Sequence, residues 1–417
     1  MVIALRKAIR EHRFSIFFFF YTVVYNILIS CRLSNYKIDD ITFAYHLVDY
    51  SFGFRFGLLP GAIYGTLFHH NYSIVLITIY CTVLLILFFA GVAYLLEKFV
   101  ISIDSKYRNT AFLLVAFYLS GPFSFSIFAR ELGMLDFYWI ASVLLFCVFI
   151  QKKYFRMLIP LLCAACLLVH FSSVISYLLM MLTLILYRIS IEDEKKEQKR
   201  YIMVFIISAF LVLCLFIALF YVQSCNVASI SMEEFHNRLE SRGSSYSDYY
   251  DYAYYNLYRG QEVIDSSIYS IDSPIIMIIK TIFGKISFTF YEYSLSLKEF
   301  ILRFIVSIVL FSPAVLFIYK RFIVLLKDTK NNLLKKFCIL VMMMQFPITA
   351  IIGSLFSADI FRWMTHAFLI FSTDFLILLK YEKSLREQTF NSFNKIKCAP
   401  LTIYVLSYFS TVFWPYC

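Results

Sequence analysis

Charge is scarce in this sequence. Only 16% of its 417 residues are Asp, Glu, Lys or Arg, while 61% are hydrophobic and 20% aromatic, against about 25% charge in ordinary soluble domains. That scarcity excludes a soluble enzyme and predicts an all-α, polytopic integral membrane protein, a single transmembrane domain over residues 1–417. No small-residue cleavage site follows the basic N-terminal residues, so the first oily run is expected to remain as a span. Neither an internal repeat nor an inverted repeat of the kind common in secondary transporters is visible. Mid-membrane ionisable groups are nearly absent, with Asp374 and Arg303 as exceptions, which speaks against an ion relay through the bilayer. The ten cysteines are scattered; Cys163 and Cys166 form C-x-x-C, but with no His or acid at ligand spacing they read as packing.

What is present in quantity is apolar helix. A hydrocarbon core about 30 Å thick takes about 20 apolar residues, and such runs are predicted at 13–33, 73–96, 110–128, 133–150, 201–222, 299–319, 337–356, 363–380 and 399–416. The run at 157–187 is too long for one crossing and short for two. Both of its flanks, "QKKYFR" and "YRISIEDEKKEQKR", are basic, so it is expected to enter and return on one side as a helical hairpin or re-entrant pair with His170–Ser173 at its apex. The expected total is about nine full transmembrane helices plus this pair, or 11 membrane segments. About 26 of the 38 Lys and Arg residues fall in alternate loops, which places the N-terminus in the cytoplasm and the C-terminus outside. The net charge of +11 is thereby taken up by topology and anionic-lipid contact, with no nucleic-acid partner implied.

Two outer segments are long, 34–72 and 223–298. With sides assigned, the ionisable residues of the outer face gather in few places. Asp39, Asp40, His46, Asp49 and Arg55 lie in the first segment; Arg130, Glu131 and Asp136 in "ARELGMLD"; His170 at the hairpin apex; Asp359, Arg362 and His366 in "ADIFRWMTH". Taken singly, each could be a solvated helix cap or a structural ion pair. Taken together, mixed charges at one membrane boundary indicate a functional site, because such groups are costly unless paired or facing water. An acidic pair such as Asp39 and Asp40 can act as general base or metal ligand, and arginines can hold a phosphate or pyrophosphate leaving group. That combination suits glycosyl transfer from a lipid-linked sugar phosphate. "SSYSDYYDYAYYNLYRGQ" in the second outer segment, with Tyr250 and Tyr254, offers rings for sugar or an aromatic interfacial belt. "PIIMIIKTIFGKISF" reads as an amphipathic helix on the outer leaflet, and "RFGLLPGAIYG" as a re-entrant or juxtamembrane segment bringing Arg55 toward Asp39 and Asp40.

The span-rich layout, the large late outer loop, "RELGMLD" and "LLVHFSSVISYLLMML" resemble the bacterial O-antigen and capsule repeat-unit polymerases, including the EpsG-like branch. There a His-Ser pair follows an apolar helix; here His170 and Ser172 are separated by Phe171, and an expected arginine-glutamine pair is Arg130-Glu131. The acidic pair in the first outer loop instead resembles the GT-C glycosyltransferases, which implies a GT-C-like fold with Asp39 and Asp40 as base or metal-binding acids. The resemblance implies an enzyme of the bacterial inner membrane acting at the outer face on undecaprenyl-(pyro)phosphate-linked oligosaccharides. The leading expectation is a repeat-unit polymerase; the alternatives are a serotype-converting GT-C enzyme and a lipid-linked oligosaccharide flippase. Catalytic candidates are Asp39, Asp40, Glu131 and His170; substrate-binding candidates are Arg55, Arg130, Asp359, Arg362, His366, Tyr250 and Tyr254. No cofactor is expected, or a divalent metal if the enzyme is GT-C-like. Expected partners are membrane lipid and, in the cell, chain-length regulator and flippase proteins.

Overall fold

The computed structural model describes residues 12–30, 38, 40–52, 54, 57–70, 72–120, 133, 135–224, 230–242, 254, 297–329, 331–357 and 360–395. Among the described residues every regular element is helical: α1 Arg13–Ser30, α2 Asp40–Leu47, α3 Leu59–Leu67, α4 Ile74–Ser102, α5 Arg108–Ser120, α6 Leu135–Phe149, α7 Ile159–Val169, α8 Tyr177–Ile191, α9 Lys195–Ser224, α10 Met232–Ser241, α11 Leu297–Asp328, α12 Leu333–Ser357, α13 Ile360–Tyr381 and α14 Lys383–Asn394.

Helix α9 shows what kind of solvent surrounds the bundle. Ile202, Ile206, Phe210, Leu213, Ile217 and Tyr221 recur every three or four residues and are all exposed, while Tyr201, Val204 and Leu219 are buried. A helix apolar on its packed face and equally apolar on its open face is adapted to lipid. Among the described residues four helical stretches are long and apolar enough to cross a membrane, namely Ile74–Ser102, Lys195–Leu219, Leu333–Ser354 and Arg362–Tyr381. A fifth joins them if the two halves of α11, bent by 58°, count as one span. This is fewer than the nine full crossings expected from sequence. The physical reason is length: α6 and α8 have 15 residues each and α7 has 11, so they rise only about 22 and 16 Å at 1.5 Å per residue. The expected span at 399–416 and the second half of that at 110–128 lie outside the described residues.

Two prolines interrupt long helices, and each leaves a carbonyl that a neighbour takes up. Pro313 has no N–H to offer the carbonyl of Val309, four residues earlier, and α11 bends there; the Ser312 hydroxyl donates to that carbonyl at 3.0 Å. Pro347 likewise leaves the Met343 carbonyl of α12 free, and the hydroxyl of Tyr319 on α11 donates to it. In hydrocarbon an unmet carbonyl is costly. Tyr319→Phe is therefore expected to lower unfolding stability in detergent by about 1–3 kcal/mol, and Pro347→Ala in the same chain should recover most of it by returning the backbone donor.

The segment 157–187 folds as α7 and α8 joined by a 3-10 turn, Phe171–Ile175. It lies inside the bundle, α7 packing on α6 and α9, and α8 on α9 and α12. Irregular backbone at this depth must find partners within the protein, and it does. The Cys166 carbonyl accepts from the Trp139 indole at 3.2 Å, that of Leu168 from the Gly57 amide at 3.1 Å, and that of Ile175 from the Thr349 hydroxyl at 3.0 Å. Gly57 presents its amide from a left-handed conformation, φ +84°, which a side chain would strain. Cys163 and Cys166 are both fully buried, with Cys163 Sγ 4.0 Å from Met181 Sδ, a packing contact.

Candidate functional site

Helices α6 and α13 begin at the same end of the bundle, and their first turns carry the charge. Asp136 stands in the first turn of α6, where the helix dipole favours a carboxylate. Arg362 stands in the first turn of α13, with His366 four residues on and hence on the same face. Arg362 Nε donates to Asp136 Oδ2, and His366 Nε2 lies 3.1 Å from the same oxygen. That nitrogen is within ion-pair reach of the carboxylate but off the angle of a hydrogen bond. On its other side, His366 Nδ1 bonds the hydroxyl of Tyr177, the first residue of α8. If that hydroxyl donates, Nε2 carries the proton that faces Asp136. The side chains of Asp136 and His366 are 2% and 0% exposed, whereas Arg362 is 23% exposed. The guanidinium is thus the edge of the cluster that reaches the surface.

Trp139, one turn below Asp136, is the hub. Its ring meets those of His170 at 5.9 Å, Tyr177 at 5.8 Å, His366 at 6.1 Å and Trp363 at 6.4 Å between centroids. His170, at the end of α7, bonds Ser172 Oγ through Nδ1 at 2.8 Å. The hairpin tip is therefore part of the same site. Gly353 makes room for Trp363: a Cβ there would fall 2.1 Å from the indole Cδ2. Among the described residues Asp136 Oδ1 has no hydrogen-bond partner. A buried carboxylate oxygen with spare acceptor capacity is costly.

A second cluster joins the residues around Asp49 to the end of α10. Asp49 accepts from the Ser51 amide at 2.9 Å and the Ser51 hydroxyl at 2.6 Å, and from both terminal nitrogens of Arg242 at 3.1 and 3.2 Å. Arg242 also donates to the Leu47 carbonyl, the Tyr72 hydroxyl and Ser51 Oγ, and lies over the Phe52 ring. Helix α10 is capped by Ser231, which accepts from the Glu234 amide at 3.1 Å, and buries Phe235 and Leu239. Phe235 packs on Phe52. Burial opposes ionisation of Asp49, but the hydrogen bonds from Ser51 and Arg242 outweigh it and hold its carboxyl below the usual carboxylate range. With a lowered folded-state pKa, its stabilising contribution is present above the ordinary value of about 3.9 and fades as pH falls through the folded value. Asp49→Asn is expected to weaken hydrogen-exchange protection of residues 232–241 by about 3 kcal/mol near neutrality. The gap from wild type should close only below about pH 4.

Nearby, His46 bonds the Thr42 carbonyl through Nδ1 at 2.8 Å and the Tyr138 hydroxyl through Nε2 at 2.9 Å. Burial pulls its pKa down to about 4, against the backbone bond to Thr42. It is a neutral packing histidine between α2, α4 and α6.

The structure thus brings Arg362, His366, Asp136 and His170 together, and places Asp49 in a separate cluster with Arg242. Asp39, Arg55, Arg130, Glu131, Tyr250 and Asp359 lie outside the described residues, as does the expected amphipathic helix after Tyr258; Asp40 begins α2, with its side chain outside them. Tyr254, expected to hold sugar, is 3% exposed, its ring on Phe235 and its hydroxyl donating to the Ile230 carbonyl. It supports the α10 contact instead. Asp374 is fully buried in α13, both carboxylate oxygens without a partner among the described residues, and Arg303 is exposed. No group of three or more His, Cys, Asp or Glu among the described residues is arranged to hold a metal.

Comparison with known proteins finds no matching family model, curated protein or solved structure. The fold and site define a helical membrane-type protein with a buried Asp-Arg-His-Tyr cluster at one end.

Proposed function

We propose that this chain is a membrane glycosyltransferase acting on undecaprenyl-linked saccharides, joining O-antigen or capsule repeat units at the outer face of the bacterial inner membrane. The observation that carries the reading is the Asp136 cluster: a buried carboxylate with one oxygen shared by Arg362 and His366 and the other without a hydrogen-bond partner among the described residues. In the transfer, Asp136 Oδ1 takes the proton of an acceptor sugar hydroxyl as that oxygen bonds the donor's anomeric carbon. The bond from this carbon to the (pyro)phosphate breaks, and the lipid phosphate leaves with the bonding electrons. Arg362, the exposed edge of the cluster, supplies the positive charge that stabilises the leaving oxygens. His366, tied to Tyr177, and the Trp139 hub position the carboxylate. His170 and Ser172, at the tip of the hairpin, border the acceptor side.

The same reading includes nine full crossings with a helical hairpin or re-entrant pair in a GT-C-like layout. It also places the lysine- and arginine-rich end in the cytoplasm. It makes Asp39 and Asp40 candidates for a metal or base at the mouth of the site, if the enzyme is of the serotype-converting type. Deleting the gene and resolving surface polysaccharide on a gel separates the cases: single-repeat chains mark a polymerase, an intact ladder of altered serotype a side-branch transferase, and loss of surface repeats a flippase. An unchanged ladder and serotype would refute the proposal.

A further inference from the structure

Below the site, at the opposite and basic end of the bundle, α4, α6, α8 and α13 enclose a cleft with a cavity volume of about 140 Å³. Apolar cavities tend to stay dry, so a space of this size lined by hydrocarbon invites hydrocarbon. Its walls are apolar side chains such as Val92, Leu96, Ile140, Val143 and Ile370, and its deep end is closed by Tyr118 and Tyr177. Its mouth is polar, formed by Lys98, Gln151 and Lys380. From mouth to deep end it runs along α4 from Lys98 to Phe88 and along α13 from Lys380 to Leu369, about 15 Å at the helical rise. That is the depth of one leaflet, half of a hydrocarbon core of about 30 Å.

Charge fixes the kind of headgroup. Lys380 Nζ donates to the neutral amide of Gln151, and the Lys98 ammonium rests 5.2 Å from the Tyr94 ring centroid, so among the described residues neither has a carboxylate partner. Among the described residues no Asp or Glu lines the cleft. Glu97, next to Lys98 in sequence, turns the other way and accepts from Ser15 and the His12 ring.

We propose that this cleft binds one anionic phospholipid of the leaflet at the basic end, an acyl chain lying among α4, α6 and α13 and the phosphate held by Lys98 and Lys380. Nothing in the transferase reading is required for it. The bound chain fills the seam between three helices that otherwise meet only partly, and the phosphate neutralises the two ammonium groups at its mouth.

The test uses the full chain in nanodiscs of phosphatidylcholine with a minor share of phosphatidylglycerol, with retained lipid counted by native mass spectrometry. Wild-type protein should retain one phosphatidylglycerol in preference to phosphatidylcholine. K98Q/K380Q should lower that preference about thirtyfold, given roughly 1 kcal/mol for each of the two basic residues near an anionic surface, and K98R/K380R should keep it. Val143→Trp, which obstructs the cleft and leaves the lysines in place, should also abolish retention; Val143→Leu is the milder form if the tryptophan variant does not fold. Equal retention of the two lipids by wild type, or an undiminished preference in K98Q/K380Q, would overturn the proposal. So would retention that survives both obstructing variants, since the lysines alone would then be attracting headgroups. Displacement of phosphatidylglycerol by added undecaprenyl phosphate with no dependence on the lysines would assign the cleft to a carrier tail, and would overturn it as well.

Discussion

Asp136→Asn should lower glycosyl transfer by about 10²- to 10⁴-fold, the range for loss of a general base, while leaving a folded protein. The asparagine can still receive the Arg362 Nε–H through its carbonyl oxygen, so the Asp136–Arg362 contact survives. What disappears is the carboxylate charge, and with it the proton acceptor of the proposed transfer. The companion change is Arg362→Lys. It keeps the charge, but a single ammonium cannot both satisfy Asp136 and fork onto a leaving phosphate, so transfer should fall by at least tenfold. Both are read by transfer from a lipid-linked donor in reconstituted membranes, with thermal unfolding as the check on integrity. Full activity in Asp136→Asn would remove the carboxylate from the chemistry.

The second large effect is on stability. Asp136→Leu leaves Arg362 and the buried His366 facing an aliphatic side chain, and breaking a buried pair in this way costs about 3–5 kcal/mol. Adding Arg362→Met to that chain should restore much of the loss, because an apolar pair of similar volume needs no desolvation, yet the double variant should remain inactive. Recovery of stability without recovery of transfer separates a role in chemistry from a role in holding α6 against α13. If the double variant is as unstable as the single one, His366 and Tyr177 depend on the carboxylate more than the arginine does.

The helical runs could be read from the sequence because so little interrupts them: each predicted run that falls on described residues overlaps a helix. Crossing number was harder to read, since hydropathy reports oiliness and not where a helix stops. α4, for one, continues to Ser102, past the expected end at 96. In the site, Asp136, Arg362, His366 and His170 stood out as charges in an apolar chain. Tyr177 and Trp139 did not, because an aromatic in an oily helix looks like core, and only the i, i+3 spacing of Trp139 from Asp136 pointed to it. Arg242 was one basic residue in a long loop. The signal that would have found its helix is the Ser231-x-x-Glu234 capping pattern ahead of Phe235 and Leu239, with Arg242 following at its end.

The partners of the hairpin tip also set an order for synthesis. The Ile175 carbonyl waits for Thr349, made 174 residues later, and Tyr177 waits for His366, 189 residues later. Until the ribosome has delivered α12 and α13, α7 and α8 carry polar groups with no lasting place in the bilayer. Truncation before residue 349 should therefore yield a protein that is rapidly degraded.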